Sequence, residues 1–485
     1  MNKELRRVSL VIVLMFTALF LSTSIIQVFA VDSLARDSRN VRVLYDSFST
    51  ERGPILVDGV PVAESIPVDD AYSYLRVYAN GPLYSPVTGY LTLNQGNTGV
   101  EDAMNTYLSG SSNELFMDQV NALFTGKEPA GASVELTIDP VVQQAAWDAM
   151  GDTTGAIVAI DPTTGAVLAM VSKTSYDPNQ LSAHESGAEI IGRYESLLAD
   201  PAKPLINRAI AGDLYRPGST FKILLAAAAL ESGDYTPESE FPNPRTLQLP
   251  QSNSFISNVE GGACGGTPTA TIATALRLSC NIPFAQLGVE LGEDRIRSIA
   301  EGFGFGSRID IPMPATASIY PTGMDDAQLM LSSFGQFDDK VTPLQMAMVV
   351  AGISNGGTVM TPTVVERVVG DDLTVIQDFE PKVFGNPISQ ETAATLTQML
   401  VNGVANGAAS NARISGVDVA GKTGTAENGE GEPYTLWFTG FAPAVNPQVA
   451  IAVVLENSGG RTSNAFGNTV AAPMAKKVIE AVLSR

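Results

Sequence analysis

Histidine and cysteine are almost absent from this chain. Its 485 residues include one histidine, His184, and two cysteines, Cys264 and Cys280. Structural zinc sites need four such ligands, so the composition argues against a His/Cys metal site. A Ser-His-Asp triad would have to use His184, which lies in a polar stretch without a signature, and we interpret it as a surface residue. We expect no metal and no organic cofactor.

Basic residues are also scarce. The chain has 29 Lys and Arg against 51 Asp and Glu, which gives a formal net charge of −22. Nucleic acids are bound largely through Lys and Arg contacts to phosphates. The acidic composition therefore predicts no nucleic-acid partner, and a solvated acidic surface explains it without any partner.

Charged residues are missing altogether from one long stretch, residues 8–31, which follows Arg6 and Arg7. These 24 residues are enough to span a bilayer, and the preceding arginines favour a cytoplasmic N-terminus. The alternative is a signal peptide cleaved near residues 28–30, although the apolar part of a signal peptide is usually shorter. We predict a cytoplasmic segment 1–7, a single-pass membrane anchor 8–31, and an extracytoplasmic remainder.

An extracytoplasmic location bears on the two cysteines, because disulfides persist outside the cytoplasm. Cys264 lies in the glycine-rich loop 261–266, which can bring it close to Cys280. Closing such a loop is worth roughly 3 kcal/mol in the chain-entropy model. We predict a Cys264–Cys280 disulfide, and the alternative is two buried thiols.

Two regions follow the anchor. Residues 32–131 are rich in turn signals, with modest helical patterns at 100–108 and 113–124, and we interpret them as a small α+β pedestal module. Residues 132–485 contain strand patterns, then a long helical block, then strands again, which predicts an α+β domain with the block inserted into one sheet. The main predicted strands are 155–160, 166–171, 437–441 and 450–455; the predicted helices are 141–150, 222–231, 269–278, 294–301, 343–353, 390–404 and 470–483.

Ser219 is the first candidate for chemistry. A serine is a poor nucleophile until another group takes its proton. Lys222 lies three residues later, after a Pro-Gly break and at the start of a helical pattern, so both side chains are expected on one helix face. The positive end of the helix dipole lies there as well. A Ser-x-x-Lys pair is weak evidence on its own.

Two further motifs follow in the same domain. Ser279-Cys280-Asn281 is a Ser-x-Asn motif, and Lys422-Thr423-Gly424 is the only Lys-Thr-Gly in the chain. The ordered set Ser-x-x-Lys, Ser-x-Asn and Lys-Thr-Gly is the signature of penicillin-binding proteins and class A β-lactamases. Together the three motifs are far more specific than any one of them.

The match extends beyond the motifs. The chain resembles class B penicillin-binding proteins, in particular their actinobacterial members, most strongly from residue 132 onward. The resemblance implies the penicillin-binding transpeptidase fold, an antiparallel sheet with terminal helices packed on it and an inserted all-α subdomain, and a dimerisation-like role for module 32–131. The segments that carry it are 136–139, 159–165, 207–209, 216–222, 421–427 and 437–443, with 52–55 in the small module.

The resemblance implies catalytic roles for the side chains of Ser219, Lys222, Ser279 and Lys422. Ser219 is expected to be the nucleophile. Lys222 is expected to be the general base, with its pKa lowered by burial and by the charge of Lys422. Ser279 is expected to relay a proton towards the leaving amine.

Substrate binding is expected from the same motifs. Asn281 is expected to hydrogen-bond a peptide amide, and Gly424 to let the substrate backbone approach the strand closely. The hydroxyls of Thr423 and Thr425 are expected to hold a terminal carboxylate. The backbone N–H groups of Ser219 and Thr425 are expected to form the oxyanion hole, in which each donor is worth roughly 3–4 kcal/mol.

The expected activity is that of a peptidoglycan D,D-transpeptidase, which joins stem peptides through an acyl-enzyme and is inhibited covalently by β-lactams. A D,D-carboxypeptidase, a β-lactam sensor and a non-catalytic cell-wall scaffold remain alternatives. A β-lactamase is disfavoured because the Glu-x-x-Leu-Asn signature of class A enzymes is absent between Asn281 and Lys422. Residues 32–131 are too few for a glycosyltransferase domain, so the resemblance implies a separate glycan polymerase as partner.

Overall fold

A computed structural model describes most of the chain, and the helices and strands below come from it. The described residues are 3–30, 50–70, 72–93, 95–115, 130–258, 261–460 and 465–485. The predicted boundary at 31/32 lies outside them, as does most of the predicted helix 113–124, of which only a 3₁₀ turn at Asn113–Leu115 is described.

Fifteen α-helices lie in the described ranges. In chain order they are α1 Lys3–Ser24, α2 Gly81–Thr88, α3 Gly99–Ala103, α4 Asn105–Leu108, α5 Pro140–Met150, α6 Asn179–Ser182, α7 Gly187–Ala199, α8 Lys222–Glu231, α9 Ile272–Leu278, α10 Ile282–Leu291, α11 Glu293–Gly302, α12 Asp326–Ser332, α13 Pro343–Ser354, α14 Gln390–Asn406 and α15 Gly467–Leu483.

Twenty-one strands lie in the same ranges. They are β1 Ile55–Val57, β2 Val60–Pro67, β3 Tyr74–Tyr78, β4 Leu91–Thr92, β5 Gly96–Asn97, β6 Ser133–Leu136, β7 Gly155–Ile160, β8 Val167–Lys173, β9 Glu240–Pro242, β10 Thr246–Gln248, β11 Phe255–Ser257, β12 Thr269–Thr271, β13 Ile309–Asp310, β14 Pro314–Ala315, β15 Val359–Met360, β16 Val365–Val369, β17 Val375–Asp378, β18 Val383–Gly385, β19 Ala420–Ala426, β20 Thr435–Ala442 and β21 Val449–Leu455.

Helix α1 continues into a short π-helical turn at Ile25–Phe29. Residues 6–27 are long and apolar enough to cross a membrane, and the rest of the described protein does not cover them. This helix suggests a single-pass membrane anchor.

The central sheet has five antiparallel strands in the order β19-β20-β21-β7-β8. The first hairpin and the last strands therefore share one sheet, as predicted. Helices α5 and α15 pack on one face, and α8 and α13 contribute to the core on the other. Strand β19 lies at the end of this order, so its outer edge is not paired with another strand of the sheet.

A second sheet crosses the predicted boundary between the module and the large domain. Its order is β17-β16-β6-β1-β2-β3, and β6 pairs in parallel with β1 and antiparallel with β16. Asp139 follows β6 and caps α5, because its carboxylate accepts hydrogen bonds from the N–H groups of Val141 and Val142. The cap starts α5 at Pro140, in agreement with the predicted helix 141–150.

The inserted block departs from prediction in its strands. It holds helices α8 to α14, but it also contains short paired strands, so the expectation of an all-α subdomain is wrong. Most of these strands are two or three residues long, which is too short for an alternating pattern to stand out. The predicted helix 269–278 shows the same effect. It begins as β12, and α9 starts at Ile272 because the Thr271 side chain accepts from the N–H of Thr274.

His184 is not the exposed residue that its polar surroundings suggested. Its side chain is 7% exposed. The ring packs against Tyr72, with centroids 4.8 Å apart, and Nδ1 lies 2.7 Å from Asp70 Oδ2. The covering side chains are far away in sequence, which is why sequence reasoning missed the burial.

A buried ionic cluster holds the small module together. Glu101 Oε2 accepts from Arg52 Nε at 2.6 Å, and Oε1 accepts from Arg76 Nε at 2.7 Å. The Tyr78 hydroxyl also donates to Oε1, at 3.1 Å. All four side chains are buried. One carboxylate therefore balances two guanidinium groups that water cannot reach.

Replacement of Glu101 by alanine is expected to lower the free energy of unfolding by about 3–5 kcal/mol, because two buried cations lose their counter-charge. Urea unfolding of the full chain in detergent measures this loss. Glu64→Ala, on the exposed side of β2, is the matched control and should change stability by less than about 0.5 kcal/mol. Equal stability of the two variants would contradict the account.

Candidate active site

The candidate nucleophile lies in a tight turn before α8. Gly218–Thr220 forms a 3₁₀ turn, and α8 begins at Lys222. Gly218 has a φ of +52°, a conformation that favours glycine, and a Cβ there would lie 3.0 Å from the Thr425 carbonyl oxygen. The Pro-Gly pair thus lets the turn approach β19 while Ser219 remains directly in front of the helix.

Lys222 joins the first two motifs. Its Nζ lies 3.0 Å from Ser219 Oγ, 2.8 Å from the Ser279 carbonyl oxygen and 2.7 Å from Asn281 Oδ1. The side chain is fully buried. The predicted pairing of serine and lysine on one helix face is therefore present as a direct contact.

The Ser-x-Asn motif occupies the turn between α9 and α10. Ser279 ends α9 with a φ of +64°, and Asn281 directly precedes α10. Asn258 fixes this turn, because its Oδ1 accepts from the Asn281 N–H at 2.9 Å. The Asn281 amide in turn donates to the Ser257 carbonyl at 2.9 Å.

Cys280, between these two residues, is bonded to Cys264 with an S–S distance of 1.96 Å. Cys280 is completely buried. The Asn243 side chain donates to the Cys264 carbonyl at 2.7 Å. The disulfide therefore connects the turn that carries Ser279 and Asn281 to a second, hydrogen-bonded loop.

The third motif lies on β19. Lys422 is buried, and its Nζ donates to Ser279 Oγ at 2.7 Å and to the Thr423 carbonyl at 2.8 Å. Ser279 thus contacts both lysines, since its Oγ also lies 3.5 Å from Lys222 Nζ. The structure brings Ser219, Lys222, Ser279 and Lys422 into one hydrogen-bonded cluster.

The candidate substrate-binding residues of β19 all contact other parts of the protein. A Cβ at Gly424 would lie 2.8 Å from the Pro217 carbonyl oxygen, so at this position the strand packs closely against the protein's own turn. The Thr423 hydroxyl donates to the Ala408 carbonyl at 3.0 Å, which uses its single proton. Thr425 Oγ accepts from the Gly467 N–H at 3.3 Å and keeps its own proton for a ligand.

Sequence reasoning missed the contribution of the segment after α12. The Gln336 side chain donates from Nε2 to the Thr425 carbonyl at 3.1 Å, and its Oε1 accepts from the Glu427 N–H at 3.2 Å. Arg216 Nε donates to the Phe337 carbonyl at 2.8 Å. Nothing in the sequence signals these contacts, because they join segments far apart in the chain.

Burial controls the charge of the two lysines. It lowers the pKa of Lys222 well below its usual value, and the neighbouring charge of Lys422 lowers it further. Burial also lowers the pKa of Lys422, to about 7. No acidic group contributes to either shift. An uncharged Lys222 amine at this distance from Ser219 Oγ can accept the hydroxyl proton.

A metal-ion site needs several His, Cys, Asp or Glu side chains close together. Across residues 3–30, 50–115 without 71 and 94, 130–258, 261–460 and 465–485, no three His, Cys, Asp or Glu side chains are grouped to hold an ion. The candidate site is instead built from hydroxyl, amine and amide groups.

Comparison with known proteins agrees with this geometry. A model of the penicillin binding protein transpeptidase domain matches residues 155–480, which is more than half of the chain. This chain belongs to the penicillin-binding protein transpeptidase family. The resemblance based on the three motifs is thereby confirmed. A model of the penicillin binding protein A dimerisation domain matches residues 52–134.

Similar proteins span the full length. Peptidoglycan D,D-transpeptidase PbpA of Mycolicibacterium smegmatis is 41% identical over 100% of this chain and 99% of the relative, and PbpA of Mycobacterium tuberculosis matches equally well. The structure of penicillin-binding protein A from M. tuberculosis in a ceftriaxone acyl-enzyme complex has a TM-score of 0.87 at 39% identity. That match covers 90% of this chain and 100% of the other. A penicillin G acyl-enzyme complex of the same protein has a TM-score of 0.85.

The lysine pair predicts a pH dependence for the reaction of Ser219 with penicillin. Only the uncharged amine of Lys222 accepts a proton, so the rate constant should rise with pH through the lowered pKa of Lys222. Replacement of Lys422 by methionine removes the charge that lowers this pKa, so the rising limb should move to higher pH. Stopped-flow acylation rates across the pH range measure the shift.

Lys476→Met, on the surface of α15, is the matched control and should leave the midpoint unchanged. An unchanged midpoint in Lys422→Met, or a midpoint at lower pH, would contradict the electrostatic coupling of the two lysines.

Proposed function

We propose that this chain is a peptidoglycan D,D-transpeptidase that works through an acyl-enzyme on Ser219. The observation that carries the proposal is the 3.0 Å contact between Ser219 Oγ and the Nζ of Lys222. Lys222 is buried, and this burial lowers its pKa. Full-length similarity to proteins named D,D-transpeptidase supports the same reaction class.

Acylation begins when Ser219 Oγ attacks the carbonyl carbon of the D-Ala-D-Ala amide and Lys222 takes the hydroxyl proton. A C–O bond forms, and the oxyanion is held by the N–H groups of Ser219 and Thr425. The C–N bond then breaks. Ser279, in contact with both lysines, passes a proton to the leaving amine, and D-alanine is released.

Transfer repeats these steps in reverse. The amine of a neighbouring stem peptide attacks the ester carbon and loses its proton to the Ser279–Lys222 pair, and the C–O bond breaks to restore the Ser219 hydroxyl. In this mechanism Asn281 binds the peptide amide and Thr425 binds the terminal carboxylate. Lys422 holds its proton more strongly than Lys222, because the charge of Lys422 lowers the pKa of Lys222 in addition to burial.

β-Lactams are proposed to acylate Ser219 and to inhibit the protein. Acyl-enzyme complexes with ceftriaxone and penicillin G are known for the similar protein of M. tuberculosis. Rapid hydrolysis of such an ester needs an activated water, which class A β-lactamases obtain from a glutamate. The Glu-x-x-Leu-Asn signature that supplies this glutamate is absent between Asn281 and Lys422, which supports a slowly hydrolysed ester.

The topology and the partners belong to the same proposal. Residues 1–7 lie in the cytoplasm, residues 8–31 cross the membrane, and the pedestal 32–131 carries the transpeptidase domain 132–485 outside it. This places the site beside newly made peptidoglycan. A separate glycan polymerase supplies the strands, and stem peptides are the donor and acceptor.

Labelling with a fluorescent penicillin tests the proposed nucleophile. Ser219→Ala should abolish the covalently labelled band. Among the described residues, the one other hydroxyl hydrogen-bonded to Lys222 Nζ is that of Ser279, which lies farther away, at 3.5 Å against 3.0 Å. Ser196→Ala, an exposed serine of α7, should label like the wild type. Labelling of Ser219→Ala at the wild-type rate, or rapid turnover of nitrocefin by the wild type, would contradict the proposal.

A further inference from the structure

We propose that Gly335 and Gln336 are positioning residues that set the separation of the two oxyanion-hole donors, the N–H groups of Ser219 and Thr425. The inference rests on the proposed function. It adds a role for a dipeptide outside the three motifs, which contacts no reacting atom and acts through the two segments that carry the donors.

Gly335 holds the segment that carries Ser219. Its carbonyl accepts a hydrogen bond from the Gly218 N–H at 3.0 Å. A Cβ at Gly335, where φ is +73°, would lie 2.3 Å from the Gly218 carbonyl oxygen. That oxygen belongs to the same peptide group as the Ser219 N–H. The plane of this peptide therefore packs directly on the Gly335 backbone.

Gln336 holds the segment that carries Thr425. Its amide donates to the Thr425 carbonyl and accepts from the Glu427 N–H, at 3.1 and 3.2 Å. In an ordinary sheet, the main chain of a neighbouring strand would make this pair of bonds. On the outer edge of β19 the side-chain amide of Gln336 makes them instead. The two main-chain groups of a strand residue point to the same edge. A fixed Thr425 carbonyl thus also sets the direction of the Thr425 N–H.

Hydrogen bonds to the end of α12 fix the position of Gly335 and Gln336. The Gly335 N–H donates to the Ser332 carbonyl at 2.8 Å, and the Gln336 N–H donates to the Leu331 carbonyl at 3.0 Å, which ties both residues to the end of α12. The adjacent Phe334 is buried.

Arg216 adds a second connection between the same segments. Its guanidinium donates to the Phe337 carbonyl at 2.8 Å and to the Glu427 carbonyl at 3.1 Å. The end of β19 is therefore held to the segment after α12 from both sides of Ala426. Adjacent residues of one segment therefore hold the two segments that carry the oxyanion-hole donors.

The chemistry of residue 336 can be varied in two ways. A primary amide has a donor and an acceptor, as the two contacts require. Methionine keeps the length of the side chain and has neither group for these bonds. Glutamate keeps the acceptor, and its carboxyl carries a donor only when protonated.

The experiment measures acylation of the full-length protein by fluorescent penicillin, with the limiting rate constant separated from the dissociation constant. Gln336→Met should lower the limiting rate constant about ten- to hundredfold, less than loss of a complete oxyanion donor, with little change in the dissociation constant. Gln144→Met, on the surface of α5, is the matched control and should behave like the wild type.

Gln336→Glu supplies a readout that a purely structural role would not move. Its rate constant relative to wild type should rise as the pH falls, because protonation restores the donor to the Thr425 carbonyl. The same ratio for Gln336→Met should be independent of pH.

Acylation of Gln336→Met at the wild-type rate would overturn the inference and leave the proposed function intact. If Gln336→Met fails to fold, a pH-independent ratio for Gln336→Glu overturns it instead. A wild-type protein that penicillin does not acylate would overturn the proposed function, and this inference with it.

Discussion

The contact between Lys222 Nζ and Ser219 Oγ is the interaction on which the rest of the site depends. Two amines are buried together, and no acidic side chain in the described part of the chain pairs with either. Burial of a charge without compensation is costly. Hydrogen bonds to the Ser279 carbonyl and Asn281 Oδ1 reduce that cost. The part of the cost that these bonds do not offset lowers the pKa of Lys222. The unfavourable burial is therefore also what makes Lys222 a base near neutral pH.

The fold supports this contact with elements that are remote in sequence. Helix α8 supplies Lys222, the disulfide-bonded turn before α10 supplies its acceptors, and edge strand β19 supplies the second lysine. An edge strand has main-chain groups free for a ligand, and the same freedom allows it to bend. The segment after α12 fixes Thr425 and Glu427 at one end of β19 through the Gln336 side chain.

The sequence predicted those site residues that belong to the three motifs. Ser219, Lys222, Ser279, Asn281 and Lys422 meet as expected, because helical spacing and motif order carry that information locally. Gln336 could not be found, since its partner Thr425 is 89 residues away and its role depends on a tertiary contact. The close approach of Pro217 to Gly424 and the short strands of the insertion were missed for the same reason. Domain boundaries and residue roles remain predictions.

Mapping of the penicillin adduct tests the central claim most directly, namely that the serine beside the neutral lysine is the nucleophile. The full-length protein is acylated at neutral pH, reduced, digested with trypsin and analysed by mass spectrometry. The account predicts the adduct in the peptide 209–222, on Ser219. An adduct on Ser279, in the peptide 278–295, or on any residue outside 209–222, would contradict it.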